Sequence, residues 1–408
     1  MKVRPVMAFE PSEEIRTQLL QSIVKTCEQR FYDPQLHGVN IRGLFESETA
    51  SLLKTATFTV DVNKSLANLR AYPIEFFHES ERRAGLWKAI WCSFSAHGGG
   101  WIFQDILPSG LADRAGARSG ATLLAIDGKP VCDRDIPKFH PSSEVNITFQ
   151  NPGTSPTTFS FDPRSKAKEK TTQYVTSRSI ASGIGYIRVS KWPGILGIDV
   201  AKATDRALRQ LKKPHVLIID LRGNLGSAGA GNLRLMSYLT EGKIPVGYGL
   251  TRRRAEQGYR TEELVKFTAI PRFKFLAPFT LLKLKDVDKS IALVTEGFGK
   301  QPFHQRTIML VNEHTISGSE IVAGFASDHK LATLIGTSTA GKLLGWGSLS
   351  VGSECWLTLP TVNYLTWEGR SFEGTGVLPD RHVPFSPESA INGIDNQLQA
   401  AIEFAHTL

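Results

Sequence analysis

Apolar residues near the start of the chain recur at the three- and four-residue spacing of an amphipathic helix. The recurring positions are Leu19, Leu20, Ile23, Val24 and Cys27. They follow Pro11-Ser12-Glu13-Glu14, in which Ser12 is a suitable N-cap. Phe31-Tyr32-Asp33-Pro34 breaks the pattern, because proline lacks the N–H that a helix interior needs. A second helical stretch runs from Ile41 to Thr55, so we predict a helical N-terminal region over residues 1–78.

Residues 79–165 alternate short apolar runs with glycine turns, which is typical of a small β-rich module. Strands are predicted at Trp87 to Phe94, Trp101 to Leu107, Thr122 to Ile126, Val145 to Phe149 and Thr157 to Phe161. The dipeptide Asp127-Gly128 predicts a tight hairpin turn, since both residue types accept positive φ angles. A short helix closed by glycines is expected between residues 108 and 120. Taken alone, the pattern also fits a purely structural β-domain.

From residue 166 to the end, continuous apolar runs alternate with helical spacing, as in an α/β domain with buried strands. The clearest runs are His215 to Leu221, Thr307 to Val311 and Leu331 to Ile335. A polar, basic linker from Pro163 to Ser177 precedes them. Residues 251–306 are basic and rich in phenylalanine, and we interpret them as a lid or an insertion. The predicted fold class is therefore α+β with several domains.

Two polar residues that follow two of these buried runs indicate hydrolytic chemistry. Ser317 comes after Thr307 to Val311, and Lys342 ends a loop after Leu331 to Ile335. A serine hydroxyl becomes a nucleophile when a base takes its proton, and a desolvated lysine can be that base because burial lowers its pKa. Taken alone, Lys342 is more typical of a solvated loop lysine. His314 is an alternative base, and Glu320 has capping-box spacing from Ser317.

A glycine-rich loop, Arg222 to Gly231, follows the run His215 to Leu221. Such a loop between a strand and a helix presents backbone N–H groups to an anion. Its spacing is that of neither a P-loop nor a dinucleotide-binding loop. The loop is therefore a candidate for an oxyanion hole, and a simple tight turn is the alternative.

Composition narrows the class of protein without indicating an activity. The chain has 408 residues, of which 21% are charged and 41% hydrophobic, and its net charge is +9. Because the basic residues are dispersed, we expect a solvated basic surface and no nucleic-acid partner. The four cysteines are widely spaced, so no metal site is expected. The sequence has no apolar run of about 18 residues and no signal-peptide pattern, which predicts either a cytoplasmic protein or an exported one written without its signal.

Several segments together resemble the carboxy-terminal processing, or tail-specific, proteases of serine peptidase family S41. The segments are Gly185 to Arg188, Asp220 to Gly226, Val311 to Gly324, Thr339 to Lys342 and Gly374 to Asp380, together with Phe31 to Pro34 and Gly393 to Leu398. In addition, Ile106 to Val131 resembles part of a PDZ domain. The resemblance implies a helical N-terminal region (1–78), a PDZ-like peptide-binding domain (79–165) and an α/β catalytic domain of the ClpP/crotonase-like type (166–408).

Carried over residue by residue, the resemblance makes Ser317 the nucleophile and Lys342 the general base. It makes the N–H groups of Gly226 and Gly318 the oxyanion donors, and it implies no metal and no cofactor. Asp328 lies where some members have a functionally important aspartate, and we expect it to support the site and not to react.

Three further positions bear on the resemblance. Gly85, Leu86 and Trp87 match the loop of a PDZ domain that binds a chain end, although the match is weak. Many members have a glycine where this chain has Ser227, and a glutamine that orients the lysine where this chain has Trp346. Ser227 still has an N–H to donate, whereas Trp346 leaves Lys342 in need of another polar partner.

The expected function is a serine endopeptidase that cleaves polypeptides through an acyl-enzyme and selects them by their C-terminal tails. The alternative is a catalytically weak or inactive peptide-binding scaffold of the same fold, which Ser227 and Trp346 favour. A third interpretation is an acyl-CoA enzyme of the crotonase type, which would use the same loops without Ser317. The PDZ-like module and the serine–lysine spacing both argue against that third interpretation.

Overall fold

The computed structural model of the chain describes residues 9–165, 173–194, 196–226, 230–283 and 290–408. The N-terminal region contains α1 (Glu13–Arg30), α2 (Ile41–Lys54), α3 (Phe58–Leu66) and β1 (Glu75–His78). Ser12 is the N-cap of α1, and its side chain accepts a hydrogen bond from the N–H of Ile15. The predicted helical region and its cap are therefore confirmed.

Residues 79–165 form a β-rich module. Its elements are β2 (Ala84–Gly85), α4 (Leu86–Ile90), β3 (Cys92–His97), β4 (Gly100–Ile106), α5 (Leu111–Arg114), β5 (Thr122–Ile126), β6 (Lys129–Pro130), β7 (Lys138–Phe139), β8 (Val145–Gln150) and β9 (Thr157–Phe161). An antiparallel sheet runs in the order β3-β4-β5-β8-β9, with β6 beside β5, and β2 pairs separately with β7. β3 and β9 are therefore the edge strands of the sheet.

One predicted strand of this module is wrong in its first half. Trp87 to Phe94 was expected to be extended, but Leu86–Ile90 is the short helix α4 and the strand begins only at Cys92. Leucine, lysine and alanine favour a helix, and Trp91 then ends it in the left-handed conformation at φ 61°.

The remaining chain is α/β. Its elements are β10 (Val175–Ala181), β11 (Ile184–Val189), α6 (Ile198–Gln210), β12 (Val216–Asp220), α7 (Leu233–Leu239), β13 (Pro245–Thr251), α8 (Arg252–Gln257), β14 (Val265–Phe267), α9 (Ala277–Lys283), β15 (Ile291–Val294), β16 (Thr307–Val311), α10 (Gly318–Asp328), β17 (Thr333–Gly336), β18 (Gly345–Gly352), β19 (Cys355–Thr366), β20 (Arg381–His382), α11 (Pro387–Ile391) and α12 (Asn396–Ala405).

These strands form two sheets. The first sheet runs in the order β10-β11-β12-β16-β17-β20 and is parallel from β11 onward. Every residue of β12 and β16 is buried, because helices cover both faces, with α6 and α10 on one side and α12 on the other. The second sheet runs β1-β19-β13-β15-β14, with β18 beside β19. Residues 251–306 thus supply β14 and β15 to this sheet, although 284–289 lie outside the described residues.

The N-terminal helices share a core with the second sheet. Apolar side chains of α1, α2 and α3 pack against Val351, Cys355, Leu357 and Leu359 from β18 and β19. β1 extends the same sheet, and Glu75 pairs with Thr358. The beginning of the chain is therefore built onto strands that come near its end.

Candidate active site

The candidate site lies at one edge of the first sheet, where the loops after three neighbouring strands meet. β12, β16 and β17 are adjacent and parallel, so their carboxyl ends lie at the same edge. In open α/β sheets this is the edge at which ligands bind. Gly226, Ser317 and Lys342 follow these three strands in turn.

Ser317 occupies a sharp turn between β16 and α10. Its backbone has φ 54° and ψ −121°, a conformation that a non-glycine residue keeps only when its surroundings enforce it. Thr315 supplies part of that constraint, because its Oγ1 donates to the carbonyl of Leu221 and accepts from the N–H of Asn312, both at 3.0 Å. The turn places Ser317 at the N-terminus of α10, where the helix dipole favours negative charge.

Gly226 brings the glycine-rich loop directly against this serine. Its φ is +67°, and a Cβ added there would lie 2.9 Å from the Cβ of Ser317. Its N–H donates to Oδ1 of Asn224 at 2.8 Å, so this predicted oxyanion donor is engaged within its own loop. Gly318 is the first residue of α10, and such an N–H has no partner within its own helix. Ser227 lies outside the described residues.

Glu320 joins the serine turn to the lysine loop. This fully buried carboxylate accepts through Oε2 from the N–H groups of Ser317 and Lys342, both at 2.9 Å. Through Oε1 it accepts from the N–H of Gly341 at 2.6 Å and from Oγ1 of Thr339 at 2.7 Å. Burial raises its pKa, and these four donors oppose the rise. The spacing predicted the contact with Ser317, but nothing in the sequence indicated the contact with the lysine loop.

The Lys342 side chain is exposed, contrary to the desolvated lysine that the sequence argument requires. Its Nζ lies 4.3 Å from the ring centroid of Tyr72, which comes from the N-terminal region. Among the described residues, Nζ of Lys342 and Oγ of Ser317 are not hydrogen-bonded to each other. The two loops are therefore joined through their backbones, while the lysine side chain rests on an aromatic ring.

A second carboxylate, Glu373, holds the other side of the lysine loop. Its Oε2 accepts from the N–H of Leu343 at 2.7 Å and from that of Leu344 at 3.1 Å. Burial raises the pKa of Glu373 to about 7, although these two donors and the charge of Lys342 act in the opposite direction. Glu320 and Glu373 thus bind four consecutive backbone N–H groups, those of residues 341–344. The sequence analysis missed Glu373, which directly precedes the Gly374 to Asp380 motif.

Buried ion pairs hold the start of the glycine-rich loop in place. The Arg222 guanidinium forms two hydrogen bonds with Asp220, at 2.7 and 3.0 Å, and also contacts Asp395 at 2.8 Å. Burial alone would raise the pKa of Asp220, but the positive charges of Arg188 and Arg222 outweigh it and hold the pKa below its usual range. The motif that begins at Asp220 is therefore a structural support of the loop.

The β-rich module contacts the same loops through a buried carboxylate of its own. Asp105 on β4 accepts from Nδ2 of Asn312 at 2.8 Å and from Oγ of Ser93 at 2.6 Å. The oxygen of the Asn312 amide in turn accepts from the N–H groups of Gly223 and His314, both at 3.1 Å. A displacement of the module would therefore reach both the glycine-rich loop and the serine turn.

Two other candidate residues, Asp328 and His314, contact charged partners outside the serine turn and the lysine loop or next to them in the chain. Asp328 is the last residue of α10 and forms an ion pair with Arg370, so its supporting role stays a prediction. Nε2 of His314 lies 3.6 Å from Oε1 of Glu313, its neighbour in the chain. His314 thus has a carboxylate beside its ring, but among the described residues no hydrogen bond joins that ring to Ser317, as a histidine base would require.

The predicted chain-end loop of the module differs from an open binding loop. Gly85 belongs to β2 and pairs with Lys138, whereas Leu86 is fully buried and its N–H donates to the carbonyl of Pro137 at 2.9 Å. The Trp87 ring lies beneath the ammonium of Lys88 at 4.8 Å. Leu86 therefore serves the core of the module, and Trp87 faces a lysine.

No group of three or more histidine, cysteine, aspartate or glutamate side chains in the described part of the chain is arranged to hold a metal ion. Likewise, no helix in the described ranges is long and apolar enough to cross a membrane.

Residues 183–383, which hold the serine turn, the glycine-rich loop and the lysine loop, match the model of peptidase family S41. The chain carries an S41 domain. The predicted resemblance to peptidase family S41 is therefore confirmed, and the match ends at the last strand of the first sheet, β20.

Relatives of this chain are named for carboxyl-terminal processing. The chloroplastic C-terminal processing peptidase of Tetradesmus obliquus is 24% identical over 300 residues, which are 69% of this chain and 56% of the relative. The carboxyl-terminal-processing protease of Picosynechococcus is 24% identical over 308 residues, which are 73% of this chain and 64% of the relative. The chain thus spans roughly three fifths of the length of these curated relatives.

Solved structures share the fold of this chain at low sequence identity. The photosystem II D1 C-terminal processing protease is 19% identical with a TM-score of 0.54, over 95% of this chain and 99% of the other. Mature CPAF in complex with lactacystin is 13% identical with a TM-score of 0.55, over 96% and 98% of the two chains. Both likenesses concern the fold, a mixed α/β structure of several parts with a helical N-terminus.

Proposed function

We propose that this chain is a serine endopeptidase that cleaves polypeptides with Ser317 as nucleophile and Lys342 as general base. One observation carries the proposal: the buried Glu320 accepts hydrogen bonds from the backbones of both residues, so the two loops are fixed to each other. A strained serine at a helix N-terminus and a lysine loop beside it are the parts that acyl transfer requires. The names of the relatives support the same chemistry.

In the proposed reaction, the Lys342 side chain leaves the Tyr72 ring and turns towards Ser317. A cation–π contact at an exposed site is worth only about 0.5–1 kcal/mol, so the movement costs little. When bound substrate excludes water from the Lys342 ammonium, its charged form is disfavoured and it releases a proton to the solvent. The neutral amine then takes the Oγ proton while Oγ bonds to the peptide carbonyl carbon. The lysine returns that proton to the leaving amine as the C–N bond breaks, which leaves an acyl-enzyme. Water attacks this ester with Lys342 again as base, and Ser317 is regenerated.

The developing oxyanion needs N–H donors at the same place. We assign the N–H of Gly318 to this role, because α10 leaves it without a partner of its own. Gly226 is the second donor in the proposal, and its N–H must first exchange the Asn224 oxygen for the substrate oxygen. Substrate binding would therefore tighten the glycine-rich loop around the reacting carbonyl.

The domain assignment belongs to the same proposal. We assign residues 1–78 to a helical region, 79–165 to a PDZ-like domain and 166–408 to a catalytic domain of the ClpP/crotonase type. The open edge of β3 supports peptide binding by the second domain, since an extended chain can add to an unpaired strand. Selection of substrates by their C-terminal tails would follow from such binding. The compartment in which the protein acts stays a prediction of the sequence.

Fluorophosphonate labelling followed by intact-mass measurement tests the proposal, with casein degradation in parallel. Wild type should gain one adduct and degrade casein, whereas Ser317→Ala and Lys342→Ala should do neither while keeping the wild-type melting temperature. Lys129→Ala, at an exposed lysine of the β-rich module, is the matched control and should behave as wild type. Labelling of the Lys342→Ala variant at the wild-type rate would exclude the dyad. A folded wild type that never labels would favour the inactive peptide-binding scaffold.

A further inference from the structure

Two lysines cross the boundary between the β-rich module and the S41 domain in opposite directions. Lys88, on α4 of the module, places its Nζ 5.8 Å from the ring centroid of Trp346 in β18. Lys191, which follows β11, places its Nζ 5.7 Å from the ring of Trp91 in the module. Each part thus places a lysine against a tryptophan of the other, at the boundary between them.

The lysine of the proposed dyad lies beside the same boundary. Trp346 comes four residues after Lys342, so the Lys88 contact is made beside the lysine loop. Lys191 adjoins Trp192, whose indole N–H donates to Oγ of Ser319 at 2.8 Å, close behind the serine turn. Three lysines from three separate elements therefore lie beside the serine turn or the lysine loop.

These charges lack anionic partners of their own. In the part of the chain that the structure describes, Lys64 and Lys274 form ion pairs. Lys88, Lys191 and Lys342 form none there. Glu373 is near enough for Lys342 to affect its pKa, but its Oε2 is occupied by the loop N–H groups. The Lys88 side chain stays accessible to solvent, yet burial of its ammonium lowers its pKa, and the charges of Lys191 and Lys342 lower it further.

Gathering like charges without a counter-ion costs free energy, which a bound anion would recover. Trp346 and Tyr72 are both 53% exposed, so the aromatic rings under these lysines are also open to a ligand. An extended peptide that adds to β3 would start beside α4 and Trp91, because both directly precede that strand. The anion most readily brought to these lysines is therefore a carboxylate of a bound polypeptide.

We propose that Lys88, Lys191 and Lys342 form a subsite for acidic side chains of the polypeptide substrate. The inference rests on the proposed function for the identity of the substrate as a polypeptide. It assigns a preference for aspartate- or glutamate-containing segments near the cleaved bond, set by Lys88 and Lys191, while Lys342 also serves the reaction. The free carboxylate at a chain end has the same chemistry and is the competing source.

Binding to the full-length Ser317→Ala protein tests the subsite without turnover. Three fluorescein-labelled peptides of one sequence are compared by anisotropy: one with two aspartates and an amidated end, one with two asparagines and an amidated end, and one with two asparagines and a free end. Lys88→Gln, Lys191→Gln and Lys88→Arg are made in the same background. Lys129→Gln is the control, since it removes an exposed lysine elsewhere in the module.

The aspartate peptide should bind more tightly than the amidated asparagine peptide, by about two- to fivefold for each of Lys88 and Lys191. Each Lys→Gln change should remove its share of that ratio, Lys88→Arg should keep it, and Lys129→Gln should leave it unchanged. The ratio should also shrink as salt is raised, because the groups are partly exposed. Equal affinities for the two amidated peptides, or a preference confined to the free end, would overturn the proposal.

Turnover separates this inference from the proposed function. If wild type degrades casein but shows no aspartate preference, the subsite is wrong and the peptidase stands. If the aspartate preference is present and wild type neither labels nor cleaves, the subsite stands on a binding protein and the proposed reaction is wrong.

Discussion

Replacing Glu320 with glutamine tests whether one carboxylate holds the serine turn to the lysine loop. Glutamine keeps the shape but exchanges one acceptor oxygen for an NH2 group that can only donate. Three of the four donors around Glu320 are backbone N–H groups, which cannot become acceptors. The Thr339 hydroxyl can accept a hydrogen bond from the glutamine NH2. The better amide orientation therefore leaves only the backbone N–H of Gly341 without an acceptor. The other orientation strands the N–H groups of both Ser317 and Lys342.

The expected loss follows from these contacts. A buried donor left without an acceptor costs about 1–3 kcal/mol, so the better orientation lowers the free energy of unfolding by that amount. The estimate stays at one stranded donor because glutamine also avoids the cost of burying a charge, the effect that raises the pKa of Glu320. Activity should fall further, on the order of tenfold to a hundredfold, since a displacement of about 1 Å between reacting groups has that effect.

Urea unfolding and the rate of fluorophosphonate labelling measure the two effects in the same samples. Glu388→Gln is the matched control, because Glu388 is an exposed glutamate in the first turn of α11. It should change the unfolding free energy by less than about 0.5 kcal/mol and leave labelling unchanged. A Glu320→Gln protein with the stability and labelling rate of the control would refute the view that this carboxylate joins the two loops.

Tyr72→Leu removes the ring beneath the Lys342 ammonium. The rate of fluorophosphonate labelling should then rise by about two- to fivefold, the equivalent of one exposed cation–π contact. An unchanged rate would mean that the ring does not restrain the lysine. Because the pKa of Glu373 is raised from 4.5 to about 7, the native protein binds this proton more tightly than the unfolded chain does, so stability should fall as pH rises from about 4.5 through 7. Glu373→Gln should lose that part of the slope in urea unfolding across the range, and a slope identical to wild type would assign it to other groups. Asp105→Ala should lower the unfolding free energy by about 2 kcal/mol, because it strands the buried amide that donates to it, whereas the exposed Asp135→Ala should change it by less than about 0.5 kcal/mol.

The bounds of the central strands could be predicted closely, because their burial requires apolar residues that are visible in the sequence. Thr307 to Val311 was predicted as a strand and is β16 at the same bounds, since a strand covered on both faces reads as an unbroken apolar run. Trp87 to Phe94 has the same apolar character but lies at the boundary of the module, where local helix propensity decides residues 86–90. Apolar character alone could not separate these two cases.

Sequence reasoning brought Ser317 and Lys342 forward as candidates, but it did not find the groups that hold their loops. Ser317 and Lys342 stand out because each follows a buried strand, and order along the chain is visible in a sequence. Tyr72 reaches Lys342 from the far end of the chain, and Glu373 reaches the loop from beyond two strands of the second sheet, so neither contact has a local signal. The rotamer that places the lysine on a ring is likewise set by packing, not by sequence spacing.

The pairing of β1 with β19 has a consequence for how the chain is made. β1 cannot pair with β19 until Thr358, the partner of Glu75, has emerged from the ribosome. At roughly 5–20 residues per second this takes tens of seconds. Until then, the apolar faces of α1, α2 and α3 have no sheet to cover them. Contacts between residues so far apart in sequence slow folding and expose nascent chains to aggregation. The N-terminal helices should therefore depend on chaperones during synthesis, and a fragment that ends before β18 should leave them unable to fold.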